Sequence, residues 1–243
     1  RSRPRRPDPP LRRRAREAPL SLVLYYHPLA SYCHKVLIPL YENGTDFEPR
    51  IVDLSDPESS AELIAAWPVG KFPVIKDTVR NVIVPETSII IEYLDQFRPS
   101  PVRFIPADPD AARAVRLWDR FFDLYVSTPM QKIVGDRLRA ADTTDDFGVI
   151  EARVNLDGAY DMLEQHLASK TWAAGEDFSM ADCSAAPALF YAECVHPFTP
   201  AYPGISAYFD RLVARPSIAR VIEEARPYFQ FFPFRDAIPP RFL

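Results

Sequence analysis

Two short stretches of this chain combine residue types that could hold a small charged peptide. Lys71-Phe72-Pro73-Val74-Ile75 puts a proline at the start of an apolar run. There its fixed φ and missing N–H leave neighbouring backbone groups free for something other than sheet pairing. Eleven residues past Pro73, Val84-Pro85-Glu86-Thr87-Ser88 sets a carboxylate and two hydroxyls at the head of an apolar helical pattern. A helix start is dipole-positive and its first N–H groups lack partners, so exposed main chain beside it can bind a peptide by its backbone and charged ends. Taken singly, Glu86 and Thr87 also read as a helix cap, Pro73 as an edge-strand proline and Lys71 as a solvated charge.

The elements that must position these residues follow from periodicity and turn chemistry. Leu22 to Tyr26 reads as a strand, His27 to Ser31 as a loop, and Val36, Leu37 and Leu40 as one face of a helix that Asn43-Gly44 stops. Phe47 to Val52 is a second strand, 58 to 66 a short helix, Phe72 to Lys76 and Asn81 to Val84 two further strands, and Thr87 to Phe97 a helix. The order β-α-β-α-β-β-α describes a thioredoxin-like α/β domain over residues 21–98. Pro99, Pro101, Pro106 and Pro109 then mark a linker, 99–109. Beyond it, Ala111 to Val126, Val149 to Leu167, Met180 to Cys194, Ile205 to Ala214 and Ser217 to Glu224 have helical spacing. They predict an all-α domain over 110–232, followed by a tail, 233–243. Ser179-Met180-Ala181-Asp182 has the pattern of a capping box, flanked by Phe178 and Cys183 at the staple positions.

Composition bounds the partners. The 243 residues are 47% apolar and 26% charged with a net charge of -4, which gives no electrostatic reason to expect nucleic acid. Cys33, Cys183 and Cys194 form no CxxC pair and read as reduced thiols of a cytoplasmic protein. No apolar run approaches the roughly 18 residues that span a bilayer, so no membrane partner is expected. Residues 1–20, with eight arginines and five prolines, read as a disordered basic tail, either an upstream extension or a targeting segment. His166 and His196 have no ligand-spaced partners, and no metal is expected.

Phe72-Pro73-Val74, Glu86-Thr87, the proline-rich linker and Phe178-Ser179-Met180-Ala181-Asp182 occur in an order that resembles a cytosolic glutathione S-transferase, from residue 21 to about 230. The resemblance implies a cis bond before Pro73, glutathione as co-substrate, and a two-fold homodimer in a detoxifying role. It also implies that the Phe72 backbone pairs with the cysteinyl unit while Glu86 and Thr87 hold the γ-glutamyl end. Thr87 stands where serine is commoner but keeps the hydroxyl. Lys71 is the candidate for the glycyl carboxylate.

Such an enzyme must lower the pKa of the glutathione thiol, because a thiol near ~8.5 is only a few per cent thiolate at neutral pH. A shift of about two units needs roughly 2.7 kcal/mol. One donated hydroxyl (~1.5–3 kcal/mol) and a helix N-terminus (~0.3–2 kcal/mol) can supply it. The candidates, in order, are Ser31, Tyr26 and Cys33, with Tyr32 a further phenol nearby. In many family members the activating residue falls at Ala30, one position before Ser31, and Ser31 also reads as a simple N-cap. Cys33 carries the rival reading, a glutaredoxin-like oxidoreductase, although the first position of the would-be CxxC is Ala30. A scaffold that kept the fold without the reaction is the third reading. His34 and Lys35 read as solvated helix residues.

The second substrate is expected between the domains, against Trp118, Phe122 and Tyr125, with Phe121 on the same helix and Tyr228 to Phe232 from the chain end. These aromatic residues point to an apolar electrophile, though as a helical stripe they equally suit a bundle core. Conjugation, dehalogenation, ether cleavage, isomerisation and peroxide reduction remain open as reaction types.

Overall fold

The computed structural model describes residues 21–98 and 100–243. The basic tail, 1–20, and Pro99 of the linker lie outside the described residues. Strands β1 (Leu22–Tyr26), β2 (Glu48–Ile51), β3 (Val74–Asp77) and β4 (Val82–Pro85) form one sheet in the order β2-β1-β3-β4. β1 and β2 are parallel, joined through α1 (Ser31–Glu42), while β3 pairs antiparallel with both β1 and β4. Helix α2 is Pro57–Ala66 and α3 is Thr87–Phe97. The expected β-α-β-α-β-β-α order is present.

Period-two alternation in β1 sorts its side chains between two layers. Leu22, Leu24 and Tyr26 join the main core with α1 and α3, whereas Val23 and Tyr25 join a smaller cluster with Leu63 of α2. Helix α1 is therefore covered twice, by the sheet on one side and by helices of the second domain on the other.

The second domain comprises α4 (Pro109–Phe121), α5 (Thr128–Arg137), α6 (Asp146–Leu167), α7 (Met180–Val195), α8 (Pro203–Val213) and α9 (Pro216–Ala225). The single helix expected over Ala111 to Val126 ends at Phe121, and a π-helical turn, Phe122–Ser127, leads directly into α5, which periodicity did not signal. Pro129 at the head of α5 supplies no N–H, and the Thr128 N–H and hydroxyl both go to the Asp123 carbonyl. The linker is tied down by Asp95, whose carboxylate accepts from Phe104 N–H (3.0 Å) and Ile105 N–H (2.9 Å).

The capping box forms around a buried hub. Asp182 accepts from Ser179 N–H (2.8 Å), Ala173 N–H (2.8 Å) and Tyr208 Oη (2.6 Å). Residues 233–243, set apart as a tail on sequence, are seated on this domain. Ile238 and Phe242 are buried, and the Phe242 ring meets Phe190 (5.2 Å) and Phe209 (6.1 Å).

Candidate functional site

Strand register brings the two peptide-binding stretches together. Val74 pairs with Pro85 in the β3–β4 ladder, so the residues just before β3, Phe72 and Pro73, run alongside those just after β4, Glu86 and Thr87. The Phe72–Pro73 bond is cis. Among the described residues the Phe72 N–H and C=O take no hydrogen-bond partner, which leaves them to pair with an extended peptide as an added strand would.

Glu86 is the N-cap residue of α3, exposed, with φ 66° and ψ 121°. A side-chain-bearing residue in that region is strained by about 1–3 kcal/mol, and such strain concentrates where a ligand is bound. Its side chain makes no capping bond to the helix. The simple cap reading therefore fails for Glu86: the carboxylate is held out from α3. Thr87 opens the helix and is nearly buried. Lys71 is exposed beside Phe72.

The start of α1 lies beside the start of α3. Lys35, one turn into α1, donates to Ser88 Oγ at 3.1 Å, and Ser88 directly follows Thr87. Ser31 is the first residue of α1 and the N-cap is Ala30, so Ser31 does not cap its helix. Its Oγ accepts from Gln131 Nε2 of α5 at 3.5 Å. A hydroxyl has one proton and two lone pairs. With a lone pair facing Gln131, the proton stays available for an acceptor in the cleft.

The other two candidates for thiol activation face elsewhere. Cys33 is fully buried, burial pushes its thiol up to about 12, and its sulfur accepts from His27 N–H at 3.4 Å. It is a core residue, which removes the glutaredoxin-like reading. The Tyr26 phenol is buried in a crevice shared with Tyr41, Phe47, Glu224 and Tyr228, and burial followed by the Glu224 charge raises its pKa. Neither Phe72 nor Glu86 lines that crevice. Tyr32, the residue after Ser31, is raised to about 12 by burial and by Asp123, and it senses the Glu86 charge as well.

Comparison with known proteins gives the family of the chain. Residues 24–101 match the model of the glutathione S-transferase N-terminal domain and residues 111–211 that of the C-terminal domain. The glutathione S-transferase-like protein LUC7 of a Fusarium species is 30% identical over 65% of this chain and 71% of its own. The chain belongs to the glutathione S-transferase family. A stringent starvation protein A homolog of Coxiella burnetii is also 30% identical, over 70% of this chain and 75% of its own. Among solved structures, a glutathione S-transferase from Methylobacillus flagellatus with glutathione bound superposes with a TM-score of 0.76 at 25% identity, covering 83% of this chain and 98% of that one.

In this family member the expected electrophile residues do not gather around Ser31. Phe122 is fully buried in the core. Trp118 stacks on His166 with ring centroids 3.6 Å apart, and with Tyr125 it lines an apolar groove of about 820 Å³ between α4, α5 and α6. Neither Ser31 nor Gln131 lines that groove. Trp118 and Phe122, four residues apart, belong to the stripe that packs into the bundle core. Facing Ser31 instead is Gln131, while Tyr228, in the Tyr26 crevice, meets the His27 ring edge-on at 5.0 Å. Gln131 was missed because α5 itself was missed.

His34 and Lys35 are corrected as well. Both are buried, since α1 has no solvated face at those positions. Lys35 Nζ lies 2.7 Å from Asp119 Oδ1, off the direction of hydrogen bonding, and donates to Asp123 Oδ2 at 2.8 Å. Ser88 donates to Asp119 Oδ2 at 2.6 Å. This cluster fastens the starts of α1 and α3 to α4. Among the described residues no cluster of metal-ligating side chains occurs, and no described helix is long and apolar enough to cross a membrane.

Proposed function

We propose that the protein binds glutathione as co-substrate and transfers it to an apolar electrophile, with Ser31 holding the thiolate. The reading rests on one observation above all. Ser31 Oγ stands at the dipole-positive start of α1, beside the α3 start, with a lone pair toward Gln131 and its proton free to donate. A donated hydrogen bond and the helix N-terminus each favour the thiolate over the thiol. The free Phe72 backbone suits the cysteinyl unit, the Glu86 carboxylate suits the γ-glutamyl ammonium, and the Lys71 ammonium suits the glycyl carboxylate. The cleft between Ser31 and α5 is where an electrophile would meet the sulfur.

The working unit in this reading is a homodimer in the cytoplasm. Leu117, Tyr125, Ile150, Val154 and Met162 leave an exposed apolar face across α4 to α6, the kind of surface a second copy covers. Light scattering at micromolar concentration should give twice the 27.7 kDa chain mass. A single-chain mass would count against it.

Calorimetry tests the glutathione site. Glu86→Ala should remove a charge-assisted contact, costing about 1.5–3 kcal/mol, or roughly ten- to more than a hundredfold in affinity. Unchanged affinity in the folded variant would remove the assignment.

A further inference from the structure

The Tyr26 crevice is a cavity of about 480 Å³ at the β2 edge of the sheet, between the end of α1, β2 and α9. Ser31 does not line it. Its walls are largely aromatic, from Tyr26, Tyr41 and Phe47 and, beyond α9, Tyr228. The charges around these rings are already matched. Glu224 Oε2 accepts from Tyr41 Oη at 2.6 Å and Oε1 from Arg220 Nε at 2.9 Å. The Arg220 guanidinium also lies over the Tyr41 ring, 3.8 Å from its centroid, so a second cation finds that face occupied. An anion would meet the Glu224 carboxylate and that of Asp46, which is exposed at the same cavity.

Tyr26 is the unmatched group. It is 8% exposed, yet among the described residues its Oη takes no hydrogen-bond partner, whereas the Tyr41 phenol beside it is engaged. Buried hydroxyls are ordinarily partnered. Burial, and then the Glu224 charge, raises the Tyr26 pKa, so the phenol keeps its proton through neutral pH. The cavity therefore offers one hydrogen-bond donor on an aromatic wall.

We propose that this cavity is a second ligand site, one that takes a neutral, planar aromatic ketone whose carbonyl oxygen accepts from Tyr26 Oη. Flat rings suit aromatic walls through offset or edge-on contacts. A carbonyl accepts without donating, which matches the one proton the phenol has to give. The volume lies within the roughly 300–1,000 Å³ of small-molecule pockets. Because the cavity is separate from Ser31, Phe72 and Glu86, the site is independent of the transferase reading and stands whether or not Ser31 activates a thiol.

Equilibrium dialysis with fluorenone, three fused rings bearing one carbonyl, tests the site against fluorene, the same rings without it. The wild type should bind the ketone more tightly than the hydrocarbon, and saturating glutathione should leave the ketone's affinity unchanged. Tyr26→Phe should weaken fluorenone roughly three- to tenfold, the loss of one neutral hydrogen bond, and leave fluorene as it was. Tyr228→Ala, which removes a wall ring, should weaken both. Equal affinity for the two ligands in the wild type, or a Tyr26→Phe protein in which fluorenone is unaffected or falls no more than fluorene, would overturn the proposal. So would a Tyr228→Ala protein that binds both as the wild type does. Displacement of fluorenone by glutathione would put the ketone in the Ser31 cleft and equally overturn a separate site.

Discussion

Lys35 Nζ, on a side chain 1% exposed, donates to Asp123 Oδ2 at 2.8 Å, and the two residues belong to different domains. Asp119 and Ser88 complete the cluster, with Ser184 donating to Asp123 Oδ1 at 3.0 Å. Burial raises the Asp123 pKa even with Lys35 beside it, so the ammonium is what makes an ionised carboxylate tolerable there.

Replacing that ammonium by an apolar group of similar length should therefore be costly. Lys35→Met leaves buried Asp119 without a cation and Asp123 with Arg120 alone, and removal of one partner of a buried pair costs about 3–5 kcal/mol. Denaturant unfolding measures it. A loss below about 1 kcal/mol, the scale of a surface pair, would contradict the burial argument. Because Ser88 follows Glu86 and Thr87 directly, the variant should also bind glutathione more weakly.

Ser31→Ala should raise the pKa of the bound glutathione thiol by roughly one to two units, at about 1.36 kcal/mol each, while affinity falls little. The thiolate absorbance of the complex, titrated against pH, reports it. Gln131→Ala should move the same titration in the same direction by less, since Gln131 orients the hydroxyl without touching the sulfur. If Tyr26→Phe shifted the curve and Ser31→Ala did not, activation would belong to Tyr26 despite its buried crevice.

What the sequence disclosed and what it hid divide along a physical line. Strand alternation, Asn43-Gly44, the proline cluster and the capping box are local signals, and each lies within a residue or two of the observed element. Lys35 was misread because burial from two sides is a property of packing, and a lysine on α1 looks the same whether water or Asp123 faces it. The aromatic wall was misplaced because a helical stripe has the same residue pattern whether it packs into a bundle, as Trp118 and Phe122 do, or faces a cleft. Residues 233–243 carry too little periodicity to announce that Ile238 and Phe242 are buried.

The backbone at Glu86 separates stability from binding. A φ of 66° is natural for glycine, so Glu86→Gly relieves the strain, about 1–3 kcal/mol, against about 0.5–1 kcal/mol of added chain entropy. The expected result is a fold that is stabilised by about 1 kcal/mol and binds glutathione as poorly as Glu86→Ala. Glu86→Ala keeps the strain and gains no stability. Paired denaturation and calorimetry on the two variants check this, and a Glu86→Gly protein that is less stable than the wild type would mean the conformation carries no strain.

His34 should set the acid limit of the fold. It is fully buried with Nε2 donating to Pro28 O at 2.5 Å, and burial lowers its pKa from 6.5 to about 4. The folded state keeps the ring neutral where the unfolded chain protonates it, so between pH 6.5 and about 4 the unfolded state binds more protons and stability falls as pH falls. Integrated over that window the loss is on the order of 3 kcal/mol. His34→Gln keeps an amide donor for the Pro28 carbonyl but cannot titrate. Its unfolding free energy should therefore lie below wild type at pH ~7 and change less between pH ~7 and ~5. Parallel pH dependences in the two proteins would assign the acid limit to other groups, with the carboxylates around Lys35 the next to examine.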